Sequence, residues 1–435
     1  MAIPSIPAAA KIGAALAVAA PAVAIRLSGG GGVTLGPEAE AVIFGAAVVA
    51  TAFLLAWAAE AAQVDVPGSL ATAVLALIAV LPEYAVDLYF AYSAGNDPTK
   101  AQFAAANMTG SNRLLIGIGW PLVALVALFA YGRRRRRPAG KGDGSVTSAA
   151  IEMQPSRRVE VGFLAAASVF AFVMVASHSL AWWHSAVLLG LFGLYLWRTS
   201  RQPRTEPDLV GVSAALGSLP GRRRRVVVPT IFAVAAVIAL ASAEPFAEGL
   251  VESGSHLGID QFLLVQWLAP LASEAPELIV AGLFAWRLRG DGALGTLLSS
   301  KVNQWTLLVG SLPLAYLAGG GHGALHLDAR QTEEFLLTAT QALLAVAVVL
   351  DLRFRRREAL ALLVLFLAQF PFPSTSVRLF FSGIYLAVAV ALLVRHRRNI
   401  RPTVDAISSA PKPVAGNRAP VAAGSRPRPP GASCG

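Results

Sequence analysis

The sequence predicts an all-α protein that crosses a membrane many times. Of its 435 residues, 55% are hydrophobic and only 14% are charged, whereas soluble domains carry about 25% charged residues. Apolar segments long enough to span a bilayer recur along the chain, and arginine-rich stretches separate several of them. These observations exclude an ordinary soluble protein. They also explain the net charge of +11 without a nucleic-acid partner.

Twelve membrane-spanning helices are predicted from the apolar segments. A hydrocarbon core of about 30 Å requires about 20 apolar residues in a helix. The eleventh segment is the shortest of the twelve. The predicted spans are residues 8–27, 39–62, 69–93, 102–131, 159–177, 180–197, 226–247, 261–286, 293–318, 331–350, 358–371 and 375–394.

The arginine-rich stretches indicate how these helices are oriented, because cytoplasmic loops carry an excess of Lys and Arg. The stretches at 133–137, 222–225, 353–357 and 395–401 all fall on one side when the chain is followed through the predicted spans. Both termini are therefore predicted to be cytoplasmic, in a multi-pass protein of the cell membrane.

The same path places the turn at 94–101 outside and the turn at 287–292 inside. The segments around these two turns resemble each other, so they are predicted to form repeats of opposite topology. Inverted repeats are typical of transporters with a binding site near the bilayer midplane.

The chain is predicted to contain two membrane halves with short additional segments. An N-terminal helix and external loop occupy 1–38, and the two halves occupy 39–197 and 226–394. The basic linker at 198–225 and the Pro-rich basic tail at 395–435 have compositions typical of disorder. Both are expected on the cytoplasmic side.

A cleaved signal peptide is an alternative interpretation of the first 27 residues, because a short small-residue sequence ends the apolar run. Signal peptides begin with a positively charged region. Here the first basic residue is Lys11, which favours a retained helix.

A Pro-Glu pair lies within an apolar segment of each repeat, as Pro82-Glu83 and as Pro276-Glu277. Proline removes a helix hydrogen bond and frees carbonyl oxygens. A charged side chain at the bilayer centre costs about 2.5–3.5 kcal/mol on insertion scales. Two such pairs in matching places indicate one ion site made from both repeats, although each proline could also be a packing kink.

Further polar side chains surround the two pairs in the sequence. Asp87 follows Glu83 by four residues and Glu274 precedes Glu277 by three, so each pair shares a helix face. The following apolar segments add hydroxyl, amide and amine groups. The remaining candidate ligands are Asn107, Ser111, Asn112, Ser273, Ser300 and Lys301.

This pattern resembles the sodium/calcium exchanger (cation/Ca²⁺ antiporter) superfamily, whose repeats read Thr-Ser-x-Pro-Glu and then Gly-Asn-x-x-Gly-Ser-Asn. Both Pro-Glu pairs match, Asn107 and 110–112 match the second motif, and Ser300 matches its serine. The resemblance implies two inverted five-helix repeats, with about two extra helices here. It also implies that Glu83 and Glu277 are the principal ion ligands.

The departures from the family pattern change the charge of the predicted site. Ala79-Val80 replaces the first Thr-Ser, so those ligand oxygens are missing. Lys301 replaces the final Asn of the second repeat, and Asp87 and Glu274 add two acids. Four carboxylates this close would not all carry charge. We expect Lys301 to pair with Asp87 or Glu274 when no ion is bound, and transport to depend on pH.

The sequence therefore predicts a secondary active antiporter that exchanges Ca²⁺ or Na⁺ against Na⁺ or H⁺ by alternating access. The altered ligands favour proton coupling. The alternative is a non-transporting membrane protein on a decayed exchanger scaffold, which the missing Thr-Ser favours and the added acids oppose. We expect no enzyme activity and no cofactor. The expected partners are membrane lipid and small inorganic cations, and the sequence does not fix the oligomeric state.

Overall fold

The computed structural model describes residues 7–28, 36–65, 81–134, 144–201, 209–370, 372 and 374–408. Most of these residues are helical, which confirms the predicted all-α fold. Several predicted features lie outside the described residues. They are the first part of the third span (69–80), most of the loop at 28–38 and the tail beyond 408.

The first half of the chain contains seven helices among the described residues. A short 3₁₀ turn, Pro98–Lys100, precedes the fourth, and a second one, Pro155–Arg157, precedes the sixth. The helices are α1 (Ala8–Leu27), α2 (Pro37–Ala62), α3 (Leu81–Ser93), α4 (Ala101–Leu114), α5 (Trp120–Arg134), α6 (Arg158–Ser177) and α7 (Trp182–Ser200).

The second half repeats this arrangement and ends with additional helices. Between the halves lies a short helix, α8 (Val212–Gly217). The helices that follow are α9 (Gly221–Leu257), α10 (Gln261–Trp286), α11 (Gly290–Asn303), α12 (Val309–Ala318), α13 (Ala329–Val349), α14 (Arg356–Gln369), α15 (Thr375–Arg395) and α16 (Arg397–Ser408).

Each of the twelve predicted spans coincides with helix over most of its described residues; the span predicted at 180–197 starts later, at Trp182, because Ser179–Ala181 is a strand. Among the described residues, seven helices are long and apolar enough by themselves to cross a membrane. The bent helix α10 brings this number to eight. Its segments Gln261–Ala275 and Glu277–Trp286 meet at 54°, at the position of the proline that was predicted to break it. Pro82 lies at the second residue of α3 as described.

A turn of π-helix interrupts the second polar segment of each repeat. Leu115–Gly119 joins α4 to α5, and Gln304–Leu308 joins α11 to α12. One begins three residues after Asn112 and the other three residues after Lys301. The backbone widens at equivalent places in both halves, and such π-turns are common at functional sites.

Two small antiparallel strand pairs connect the halves. Strand β1 (Ala150–Glu152) pairs with β4 (Arg353–Arg355), and β2 (Ser179–Ala181) pairs with β3 (Ala324–His326). No strand was predicted from the sequence. These segments are three residues long, which is too short for an alternating pattern to be visible.

Two segments predicted to be disordered contain helix. The linker at 198–225 is narrower than predicted, because α7 extends to Ser200, α8 lies within it and α9 begins at Gly221. The tail begins with α16, which packs on α6. There Arg158 donates to the hydroxyl of Thr403 at 3.1 Å. Composition alone suggested disorder, but tertiary contacts order the helices at Val212–Gly217 and Arg397–Ser408.

The long helix α9 packs along α2 over much of its length. At one end Arg224 donates to both carboxylate oxygens of Asp65, at 2.6 and 2.7 Å. Those hydrogen bonds hold the pKa of the Asp65 carboxyl below its usual range. At Gly45 a side chain would overlap the ring of Phe246 on α9, so glycine permits the close approach of the two helices.

Candidate functional site

Helices α3, α4, α10 and α11 bring the predicted site residues together. Helix α4 contacts α10 where a Cβ on Gly110 would overlap the carbonyl oxygen of Gln266. Beside this crossing, Gln266 donates to the hydroxyl of Thr109 at 3.3 Å. Glycine in the Gly-Ser-Asn motif therefore allows backbone contact between the two repeats.

Glu83 and Glu274, one from each repeat, share a single amide donor. Gln304 Nε2 donates to Glu83 Oε2 at 3.3 Å and also to Glu274 Oε1. The two carboxyls are therefore neighbours bridged by one nitrogen. They are 3% and 2% exposed, so little water can offset their repulsion. Two ionised carboxylates in such a place would repel each other strongly.

Gln304 was not among the predicted ligands. Its position carried a usable signal, since it is an amide three residues after Lys301, next to Asn303, within a predicted membrane span. Its importance depends on the π-turn that begins at Gln304, and sequence periodicity does not reveal such a turn.

Asp87 and Glu277 are the two other acids near this pair. Asp87 is fully buried beside Asn107, and its charge interacts with that of Glu83. Glu277 is half-buried beside Ser300, and it too interacts with Glu83. The structure thus brings Glu83 of the first repeat and Glu274 of the second onto one amide, and the role of these acids as ion ligands stays a prediction.

Many oxygens in this group have no hydrogen-bond donor among the described residues. An unsatisfied buried acceptor costs about 1–3 kcal/mol, so such a concentration of acceptors suits a cation that would bind them. The unpartnered atoms are Glu83 Oε1, both Asp87 oxygens, Asn107 Oδ1, Ser111 Oγ, Glu274 Oε2, Glu277 Oε2 and Ser300 Oγ.

Lys301 contacts Asn112 instead of an acid. Its ammonium is completely buried and donates to the Asn112 backbone oxygen at 2.8 Å and to the side-chain oxygen Oδ1. Glu274 and Glu83 act on it at longer range. The expected ion pair with Asp87 or Glu274 is therefore absent from the contacts that the structure describes, because the Asn112 oxygens lie nearer.

The hydroxyl of Ser273 is directed towards its own helix. It donates to the carbonyls of Ala269 and Pro270 at 3.2 and 3.3 Å, as packing serines commonly do. A ligand role for Ser273 stays a prediction.

Arg113, which follows Asn112, pairs with an acid outside the candidate ligands. It pairs with Glu334 on α13, and Arg378 on α15 donates to the same carboxylate at 2.7 Å. The guanidinium also lies 5.1 Å from the centre of the Trp267 ring. This buried ion-pair group anchors α4 to the second half, next to the site.

A cation at this site would require several ligand types. Among the described residues, no three or more Asp, Glu, His or Cys side chains form a group that could hold a metal ion. Hydroxyl, amide and backbone oxygens would therefore complete the coordination. Ca²⁺ takes 6–8 such oxygens in flexible geometry, which fits a mixed set spread over four helices.

The family model described as sodium/calcium exchanger protein matches residues 41–200 and 227–372. These ranges contain both Pro-Glu pairs and every predicted ligand. The chain belongs to the sodium/calcium exchanger family.

Solved structures support the same fold. The H⁺/Ca²⁺ exchanger CAX is 40% identical, with a TM-score of 0.83 over 91% of this chain and 97% of that one. The Ca²⁺/H⁺ antiporter YfkE is 13% identical with a TM-score of 0.57, over 86% of this chain and 98% of that one. The sodium–calcium exchanger NCX_Mj is 17% identical with a TM-score of 0.50, over 77% and 98%.

A curated relative matches over a shorter range. The putative antiporter CaxA of Alkalimonas amylolytica is 31% identical over 88 residues. That match covers 20% of this chain and 28% of the relative. As a member of the exchanger family, the chain is a cation antiporter with two inverted repeats. It departs from the family pattern at Ala79-Val80, at the added acids Asp87 and Glu274, and at Lys301.

Proposed function

We propose that this exchanger carries Ca²⁺ against H⁺ across the cell membrane, with both termini in the cytoplasm. The observation that carries the proposal is the Glu83–Glu274 pair, held on one Gln304 amide and surrounded by unpartnered oxygens. The similarity to the H⁺/Ca²⁺ exchanger CAX, at 40% identity over most of both chains, supports it. We further propose that the protein has no enzyme activity and needs no cofactor, with lipid and small cations as its partners.

The coupling follows from the competition between protons and the cation for the same oxygens. In the cation-free site the two buried carboxyls keep a proton between them. Ca²⁺ can bind both only when they are ionised, so its entry releases that proton. When Ca²⁺ leaves on the other side, repulsion between the carboxylates favours protonation again.

Alternating access would use motion of α2 and α9 against the site helices. Helix α9 is tied to them through Glu248, which accepts from Lys100 at 2.5 and 2.7 Å and from Tyr89 at 2.5 Å. Lys100 lies at the turn predicted to face outside. These contacts hold one end of the pathway closed, and they would have to open for exchange.

Uptake of ⁴⁵Ca²⁺ into everted vesicles tests the function. A pH gradient, acid inside, should drive Ca²⁺ accumulation, and a protonophore should abolish it. A Na⁺ gradient imposed at equal pH on both sides should drive little uptake. If Ca²⁺ accumulates under neither gradient, the proposed exchange is wrong.

A non-transporting membrane protein is the second candidate, because the Lys301 ammonium occupies the oxygens of Asn112, which matches an Asn ligand in the family pattern. In that case purified protein would bind no Ca²⁺. Protection of the purified protein against thermal unfolding by Ca²⁺ would show that the site still binds the ion, and ⁴⁵Ca²⁺ uptake driven by the pH gradient would exclude this candidate.

A further inference from the structure

Lys301 and Asn112 occupy equivalent motif positions in the two repeats and contact each other. Asn112 is the last residue of the first Gly-Ser-Asn motif, and Lys301 stands at the same place in the second. Each is followed three residues later by a π-turn. The lysine therefore lies where the inverted repeats meet, with its ammonium on the partner motif's oxygens.

The Lys301 ammonium is bound in the way that a small cation would be. A backbone oxygen and an amide oxygen of Asn112 accept its hydrogen bonds. The Trp305 ring lies 5.3 Å from Nζ, and an aromatic face attracts a cation at this distance. The negative charges of Glu274 and Glu83 act from further away. No acid lies within 4.0 Å of Nζ among the described contacts, so the ammonium leaves the carboxylate oxygens available.

We propose that the Lys301 ammonium permanently takes the place of one monovalent cation, so that the site accepts one divalent cation and excludes Na⁺. This inference rests on the proposed function and adds a residue that determines its ion specificity. Asn112 would then be an internal ligand for Lys301, and the acids would bind the transported ion.

The charge of the site supports this assignment. Acids of both repeats lie at the site, and the ammonium of Lys301, being tethered, cannot leave with the transported ion when it offsets one of their negative charges. Removing it would leave a surplus negative charge and free the Asn112 oxygens. Oxygen ligands with surplus negative charge favour a further hard cation, and Na⁺ is the abundant one.

Cation binding to purified protein tests the inference independently of transport. Thermal unfolding is followed as Ca²⁺ is titrated, with and without about 100 mM Na⁺ replacing choline. In wild type, Na⁺ should leave the half-saturating Ca²⁺ concentration unchanged. In Lys301→Asn, Na⁺ should shift that concentration about fivefold or more, in either direction, since Na⁺ then binds the same site.

Matched variants separate the charge from the shape of the side chain. Lys301→Arg keeps a cation at this position and should still exclude Na⁺. Lys301→Gln removes the charge and should behave like Lys301→Asn. It serves as the second neutral variant if the Asn variant does not fold. Lys11→Asn, an exposed lysine on α1, controls for the loss of a charge elsewhere.

Two results would overturn the inference: Na⁺ competition in wild type, or the absence of any Na⁺ effect in both neutral variants. Failure of Ca²⁺/H⁺ exchange with selective Ca²⁺ binding intact would contradict only the proposed function.

Discussion

Replacing Glu83 by Gln should greatly weaken Ca²⁺ binding while preserving the fold. The change keeps the size and one oxygen of the side chain but removes its charge. At a Ca²⁺–oxygen distance of about 2.4 Å, one carboxylate charge attracts Ca²⁺ by about 3.5 kcal/mol even at the dielectric constant of water. Each 1.4 kcal/mol is a factor of about ten, so the affinity should fall at least about 300-fold. The true loss should be larger, because Glu83 is buried.

Two measurements check this prediction. Titration of Ca²⁺ against the thermal unfolding of purified protein gives the affinity, and ⁴⁵Ca²⁺ uptake into everted vesicles gives transport. Glu244→Gln is the matched control, because Glu244 is half exposed on α9 and pairs with Arg26 at 2.5 Å. It should bind Ca²⁺ like wild type. If Glu83→Gln kept the wild-type affinity, Glu83 would not be a ligand and the site would have to be reassigned.

Three further predictions concern topology and packing. A cysteine in the turn at 94–101 should react with an impermeant reagent from outside, and one at 287–292 only after permeabilisation; labelling of both from one side would exclude inverted repeats. Glu334→Gln deprives two buried arginines of their shared partner, so it should lower the free energy of unfolding by about 3–5 kcal/mol. Thermal unfolding measures this loss, and an unchanged melting temperature would contradict the prediction. Gly110→Ala should lower the free energy of unfolding by about 1–3 kcal/mol, because the new Cβ would overlap the facing backbone. Gly13→Ala is the control, since a Cβ there meets open space. An equal loss of stability in both variants would refute the packing argument.

The positions of the spans could be predicted from the sequence because the bilayer imposes a simple requirement. Runs of apolar residues must be helical in hydrocarbon, since every backbone group needs an internal hydrogen bond. The match extends to the short segment 358–371, where the structure has Arg356–Gln369. The bend in α10 could also be predicted, because proline cannot complete the helix hydrogen bonds.

Contacts between distant residues were harder to predict. That Lys301 would bind Asn112 instead of an acid depends on where the π-turns place both side chains, and no local pattern records that. Gln304 was missed as the donor that links the two acids for the same reason. The helix α16 was missed because its order comes from packing on α6, whereas its basic composition resembles a disordered tail.

The two repeats share their backbone geometry and differ in the charges they place on it. Each half supplies a Pro-Glu pair and a π-turn after its polar motif, so the scaffold alone would form a nearly symmetric site. The first half keeps the neutral amide Asn112, whereas the second places Lys301 at the equivalent position. The added acids Asp87 and Glu274 are likewise not equivalent. Asp87 follows the motif Glu83 in the sequence, whereas Glu274 precedes the motif Glu277. On the proposed mechanism, an inverted repeat would provide access from both sides, and a substitution within one half, such as Lys301, would set the ion that is carried without altering that geometry.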